Sequence, residues 1–215
     1  MKRIYKNTIL SMAVFLPVLS QAQLVKMPMD VAQDGTTYEQ VSGKSFKVNG
    51  ALAPYCVQGA KGKAWRLDGY SSYLRAQIDP TVLTDKKQLT FSLWVAPESY
   101  PMMKLDQDGE WFTTMLGNVK LDDNNTISGD KGFAFQLGSR GSYKFICYVA
   151  GWPVKCEPTA KLSRYQWNHL VATVDGVNKK VTLYNNGEEV ASKTCTKGKI
   201  TPGGSTLYVG KSYVE

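Results

Sequence analysis

Residues 167–190, WNHLVATVDGVNKKVTLYNNGEEV, constrain the fold more than any other stretch of the chain. WNHLVATV is β-branched and apolar, with no helical period and no helix breaker, so it reads as a strand. Asp175-Gly176-Val177-Asn178 reads as a turn in which Gly176 supplies a positive φ. Val181 and Leu183 then alternate with Thr182 and Tyr184, which predicts one buried face and one wetter face. Asn186-Gly187 is the dipeptide that a two-residue type I′ hairpin needs. The pattern predicts a β-hairpin running on into a third strand. No residue in it is placed to break or make a covalent bond, so function is sought on the surface of the sheet.

The rest of the chain carries the same signature. LVKMPMD (24–30), SFKV (45–48), LTFSLWV (89–95), residues 111–116, GFAFQLG (132–138) and STLYV (205–209) read as short strands separated by Gly, Asn and Asp. KAWRLDGYSSYL (63–74) reads as strand, turn and strand, with Trp65 and Leu67 on one face and the turn at Asp68-Gly69. In 89–95, Leu89, Phe91, Leu93 and Val95 form one side. Trp94 falls with Thr90 and Ser92 on the polar side. Either loops cover that side or Trp94 lies on the floor of a groove; the covered arrangement is the expectation, because Trp is usually largely buried. No amphipathic helix or internal repeat is evident, and the fold class expected is an all-β sandwich.

Residues 1–22 are set aside as a signal peptide. Lys2, Arg3 and Lys6 precede a short apolar run at 9–19, and Ser20 and Ala22 place small residues for cleavage between Ala22 and Gln23. The run is shorter than the roughly 18–20 residues a bilayer span requires. Residues 23–215 are then one exported domain, periplasmic or extracellular. Removal of the signal takes three of the 26 bases and none of the 18 acids, so the net charge falls from +8 to +5. Those bases are scattered rather than gathered among aromatics, which argues against a nucleic-acid partner. No later stretch reads as a membrane span.

Export permits disulfides among Cys56, Cys147, Cys156 and Cys195. A hairpin turning at Gly151-Trp152 sets Cys147 opposite Cys156 in a non-hydrogen-bonded pair, near the spacing a bridge requires. Phe145, Cys147, Val149, Val154 and Cys156 then share a core-facing side. A Cys147–Cys156 bridge and two buried thiols both remain open, as does a Cys56–Cys195 bridge.

Three chemistries bear on this residue set. Glycosidase action needs two carboxyl groups about 5–10 Å apart, and no strand offers acids at i and i+2. His169, the single histidine, is read as structural, with no evident partner for nucleophilic catalysis. The oxygen-rich loops 106–110 and 122–130 suit a hard cation; Asp122, Asp123, Asn125 and Asp130 are the candidate calcium ligands, against the plainer reading of solvated acidic loops, and no other cofactor is expected. For sugar binding, the aromatics that stand out are Trp152 at the hairpin tip, Tyr148 opposite the cysteines, and Tyr100 and Trp111 in or near loops.

KAWRLDGYSSYLRA, LTFSLWVAPES, WNHLVATVDGVNKKVTLYNNGEEVA and LYVGKS, in that order, resemble the laminin-G-like branch of the concanavalin A-like lectin/glucanase superfamily. The resemblance implies a two-sheet antiparallel jelly roll. QLVKMPMD, SLWVAPESYPMM and FICYVAGWPVKCEP are similar to a domain that precedes the catalytic domain in exported family 32 glycoside hydrolases of gut Bacteroidetes, which act on fructans. This implies a non-catalytic accessory module that binds glycan weakly or braces a downstream catalytic domain. A pure interaction module and a glycosidase in its own right are the alternatives. The family 32 nucleophile motif W-x-N-D-P-N-G is absent, so no catalytic residue carries over. After LYVGKS that family continues into a last strand, so a truncated domain with an open sheet edge is expected here.

Overall fold

The computed structural model describes residues 23–30, 35–50, 55–68, 71–101, 112–121, 129–211 and 213–214. In chain order the first strands are β1 (Thr36–Tyr38), β2 (Ser45–Asn49), β3 (Tyr55–Gln58), β4 (Lys63–Arg66), β5 (Tyr73–Gln77), β6 (Gln88–Val95), β7 (Phe112–Gly117) and β8 (Lys120–Leu121). Then come β9 (Phe133–Gly138), β10 (Tyr143–Val149), β11 (Trp152–Cys156), β12 (Asn168–Asp175), β13 (Lys180–Asn185), β14 (Glu188–Thr194), β15 (Thr206–Val209) and β16 (Tyr213–Val214). The described residues hold no α-helix, only a 3-10 turn at Pro80–Val82.

An eight-stranded sheet, ordered β1-β2-β5-β15-β7-β9-β10-β11, packs on a four-stranded sheet, ordered β14-β13-β12-β6. β3-β4 and β8-β16 are separate two-stranded ribbons. Every described pairing is antiparallel except β8-β16. The expected sandwich is therefore present.

Alternation builds the interface between the sheets. On β12, Asn168, Leu170, Ala172 and Val174 turn inward and His169, Val171, Thr173 and Asp175 turn outward. β9 and β10 are buried on both faces, which explains why their sequences are nearly continuous apolar runs. Phe91 of β6 joins the sheets: its ring centroid lies 4.1 Å from that of Phe133 and 5.5 Å from that of Phe145, and Phe135 is 4.8 Å from Phe145. Such tilted aromatic pairs add about 0.5–1.5 kcal/mol each beyond area burial.

Several local expectations are corrected. Residues 24–30 form no strand; the Lys26 N–H donates to the Glu39 carboxylate rather than to a ladder. The two strands expected in 63–74 are present as β4 and β5, with partners the sequence did not indicate: β4 pairs with β3, and β5 lies between β2 and β15. At the first turn, Lys179 takes the positive φ of 61°, not Gly176. Gly176 is needed for close approach, since a Cβ there would stand 2.0 Å from the Gly198 carbonyl oxygen. The Asp175 carboxylate closes this turn by accepting from the N–H groups of Val177 and Asn178. The Asn186-Gly187 turn is as expected, with φ of 51° and 88°.

The β10-β11 hairpin turns at Ala150-Gly151, with φ of 51° and 78°, and pairs Val149 with Trp152. Both positive φ values belong to the turn whose twist matches the strands. The register moves by two residues from the expected one, so Cys147 faces Val154 and Cys156 faces Phe145. The five expected residues still share the core, but Cys147 and Cys156 sit on a diagonal. Cys56, Cys147, Cys156 and Cys195 are all free thiols. Burial pushes the Cys156 thiol up to about 11 and raises Cys147 and Cys195, so these thiols stay protonated and inert.

Because Phe91 is the aromatic joint between the sheets, Phe91→Ala is expected to cost about 3–5 kcal/mol. The measurement is the urea unfolding midpoint at constant slope; a loss under about 1 kcal/mol would show that the sheets are held together elsewhere.

Candidate functional site

Among the described residues β6 is the outer strand of the four-stranded sheet, paired with β12 alone. The Gly176 N–H donates to the Lys87 carbonyl, and Gln88 lies opposite Asp175, so Lys87 and Gly176 form a hydrogen-bonded pair. With the period of two, Leu89, Phe91 and Leu93 also direct their backbone groups at β12. Trp94 and His169 are then a non-hydrogen-bonded pair, the kind whose side chains approach most closely. Their rings stack at 4.6 Å with a 12° interplanar angle. His169 Nε2 and Ser92 Oγ share a hydrogen bond of 2.8 Å, and the His169 N–H donates to the Asn186 side chain.

The result is an upright indole, 44% exposed, backed by an imidazole that a hydroxyl holds in place. His169 covers one face of the indole. The other face turns toward the open edge of β6. Val171 and half-buried Tyr184 continue the surface across β12 and β13, in register with Ser92.

Beneath that edge a cleft of about 1380 Å³ runs between the sheets. Its far wall is the stretch 23–29, which Glu39 pins. The Glu39 carboxylate accepts from the N–H groups of Lys26 at 2.7 Å, Val41 at 2.9 Å and Ser42 at 2.6 Å. Burial alone would raise this carboxyl, but those bonds and the Ser42 side chain outweigh it and hold the group at about 2.

The family model of the concanavalin A-like lectin/glucanases superfamily (Laminin_G_3) matches residues 68–215. The chain belongs to this superfamily. A search of curated protein sequences finds no significant match. Among solved structures the chain is similar to domain 4 of AbnA, an extracellular GH43 arabinanase from Geobacillus stearothermophilus, in complex with arabinotriose. That match has 20% identity and a TM-score of 0.54, over 89% of this chain and 86% of that one. It is also similar to the binding domain of Paraclostridial Mosquitocidal Protein 1, with 17% identity and a TM-score of 0.59 over 86% of this chain. A Trypanosoma rangeli sialidase matches with 13% identity and a TM-score of 0.55, again over 86% of this chain. The chain spans less than half of the latter two, 44% and 26% of their lengths. At these identities the likeness is one of fold.

Of the expected sugar contacts, the three that are described, Trp152, Tyr148 and Tyr100, do not come together. Trp152, 66% exposed, begins β11, and Tyr148 is buried on the opposite face of the hairpin with its hydroxyl on the Gly129 carbonyl. Tyr100 gives its hydroxyl to the Leu162 carbonyl at 2.6 Å and packs on Gly141, a structural role. Trp111, Asp122, Asp123, Asn125 and Ala22 lie outside the described residues; Asp130 and Gln23 are exposed. Among the described residues no group of three or more His, Cys, Asp or Glu is arranged to hold a metal ion, and no helix is long and apolar enough to cross a membrane.

The covered expectation for Trp94 is overturned by its exposure. His169 does have a partner, Ser92, which sequence reasoning missed because it depends on cross-strand register. A serine–histidine pair is part of a nucleophilic constellation, yet no carboxylate is recorded on the ring's second nitrogen among the described residues. The signal that could have found this site is Trp94 itself, an indole on the polar side of an alternating strand.

Stability contributed by the Glu39 carboxylate is full above its ordinary value of 4.5 and is lost as pH falls toward 2. Glu39→Gln is therefore expected to be less stable than the parent at neutral pH. That gap should close on acidification through this window, followed by unfolding at stepped pH. A gap that persists at the acid end would assign the effect to packing rather than to the ionised carboxylate.

Proposed function

We propose that this chain is a non-catalytic carbohydrate-binding module of an exported glycoside hydrolase, with Trp94 as the stacking platform. One observation carries the reading: the indole of Trp94 stands half-exposed on a sheet face, stiffened by His169 and flanked by the Ser92 hydroxyl. Sugars present C–H faces to such rings and hydroxyls to the polar groups around them, and a ring already held upright loses little freedom on binding. Superfamily membership and the likeness to an arabinanase domain seen with arabinotriose support the class of ligand. Fructan is the first glycan to try, from the resemblance to family 32 accessory domains. The signal-like residues 1–22 support export, with a downstream catalytic domain as the physical partner.

A second reading rests on Trp152. An indole 66% exposed at a strand start suits docking against a neighbouring domain as well as a sugar. Affinity electrophoresis against levan, inulin and arabinan, with calorimetry on any glycan that retards the protein, separates the two. Trp94→Ala is expected to weaken glycan binding by at least about tenfold, the loss of roughly 1.4 kcal/mol of ring contact. Absence of retardation by every glycan would leave the docking reading, and hydrolysis by the purified chain would overturn the non-catalytic one.

A further inference from the structure

One end of the small sheet carries a strained, exposed aromatic that the fold does not require. Tyr165 has a φ of 61°. For a bulky side chain this left-handed conformation is an outlier, and residues held so gather at ligand clamps. The other described non-glycine residues with positive φ carry no aromatic ring. A glycine would make the same turn without strain. Burial does not explain the tyrosine either: it is 72% exposed, the most exposed of the large hydrophobic side chains described.

Its backbone is tied to the sheet. β6 and β12 pair as far as Val95 and Asn168, and beyond them the Tyr165 N–H donates to the Pro97 carbonyl at 2.8 Å. The neighbouring Arg164 guanidinium lies 5.9 Å from the Tyr165 ring and 5.9 Å from the Tyr100 ring, within cation–π range. Tyr100 is itself anchored by its hydroxyl on the Leu162 carbonyl. Glu98, the acid next to Pro97, is paired with Arg66 at 2.7 Å. No ion pair is recorded for Arg164 among the described residues. The two side chains thus present an apolar ring beside a planar fork of N–H donors.

Pro97 is three residues beyond Trp94, roughly 10 Å of extended chain. Tyr165 therefore stands at the same end of the sheet as the Trp94–His169 stack. One sugar unit on Trp94 does not reach it, but a unit further along the same chain does. We infer that Tyr165 and Arg164 form a second contact for the glycan held by Trp94, the ring stacking on one sugar unit and the guanidinium donating to its hydroxyls. This rests on the glycan-binding reading of Trp94. It adds a specificity: the ligand is an oligosaccharide of several linked units rather than a single sugar.

The test uses the full chain and oligosaccharides of two and six units prepared from whichever of levan, inulin and arabinan retards it. Calorimetry is expected to show the six-unit chain bound at least about tenfold more tightly than the two-unit one. Tyr165→Gly should lower six-unit affinity at least about fivefold and leave two-unit affinity unchanged. Its urea midpoint should be no lower than the parent's, because relief of the strain offsets the added freedom of the unfolded chain. A purely structural tyrosine would behave in reverse, with stability lost and affinity kept. Tyr165→Phe keeps the ring and should bind the six-unit chain as the parent does, whereas Arg164→Ala should weaken that chain alone. Equal affinity for the two lengths, or full six-unit affinity in Tyr165→Gly while Trp94→Ala still loses binding, would overturn the second contact and leave Trp94 standing. Silence of Trp94→Ala, or retardation by none of the three glycans, would remove the platform and this extension together.

Discussion

Four strands face eight, and the architecture depends on how that mismatch is bridged. The small sheet can cover only part of the large one, so the ring cluster of Phe91, Phe133, Phe145 and Phe135 concentrates the contact where the layers overlap. Toward β14 the overlap is closed by Val181 and Leu183 packing near the β11 strand, whose Cys156 sulfur reaches the Val181 carbonyl at 3.5 Å. On the other side of Phe91, among the described residues, no further strand of the small sheet lies over Leu116 and Leu207. The stretch 23–29 and the turn after β5 stand in for part of that cover. Glu39 keeps the stretch in place with a carboxylate rather than a ladder.

β6 therefore carries three distinct roles by direction alone. Its inward side chains build the core, its outward side chains hold Trp94 against His169, and its far edge carries backbone groups with no backbone partner among the described residues. The same pairing parity sets all three, since the residues whose backbone turns from β12 are those whose side chains face out. A one-residue slip of β6 would bury Trp94 and expose Phe91.

Legibility in the sequence followed range. The strands from residue 89 onward announced themselves because alternation and turn dipeptides are local, and Asn186-Gly187 needs nothing beyond its neighbours. Residues 24–30 misled because an apolar run cannot say whether a partner strand exists, and Glu39 supplied a different one. KAWRLDGYSSYL announced both of its strands but not their partners: consecutive strands need not pair, and β5 found β15 more than a hundred residues away. The Cys147 and Cys156 alignment failed on the choice of turn, where Ala150 adopts a positive φ that composition does not advertise. Trp94 was visible as an anomaly, an indole on the polar side. Its partnership with His169 was not, because it depends on a pairing 75 residues long in sequence.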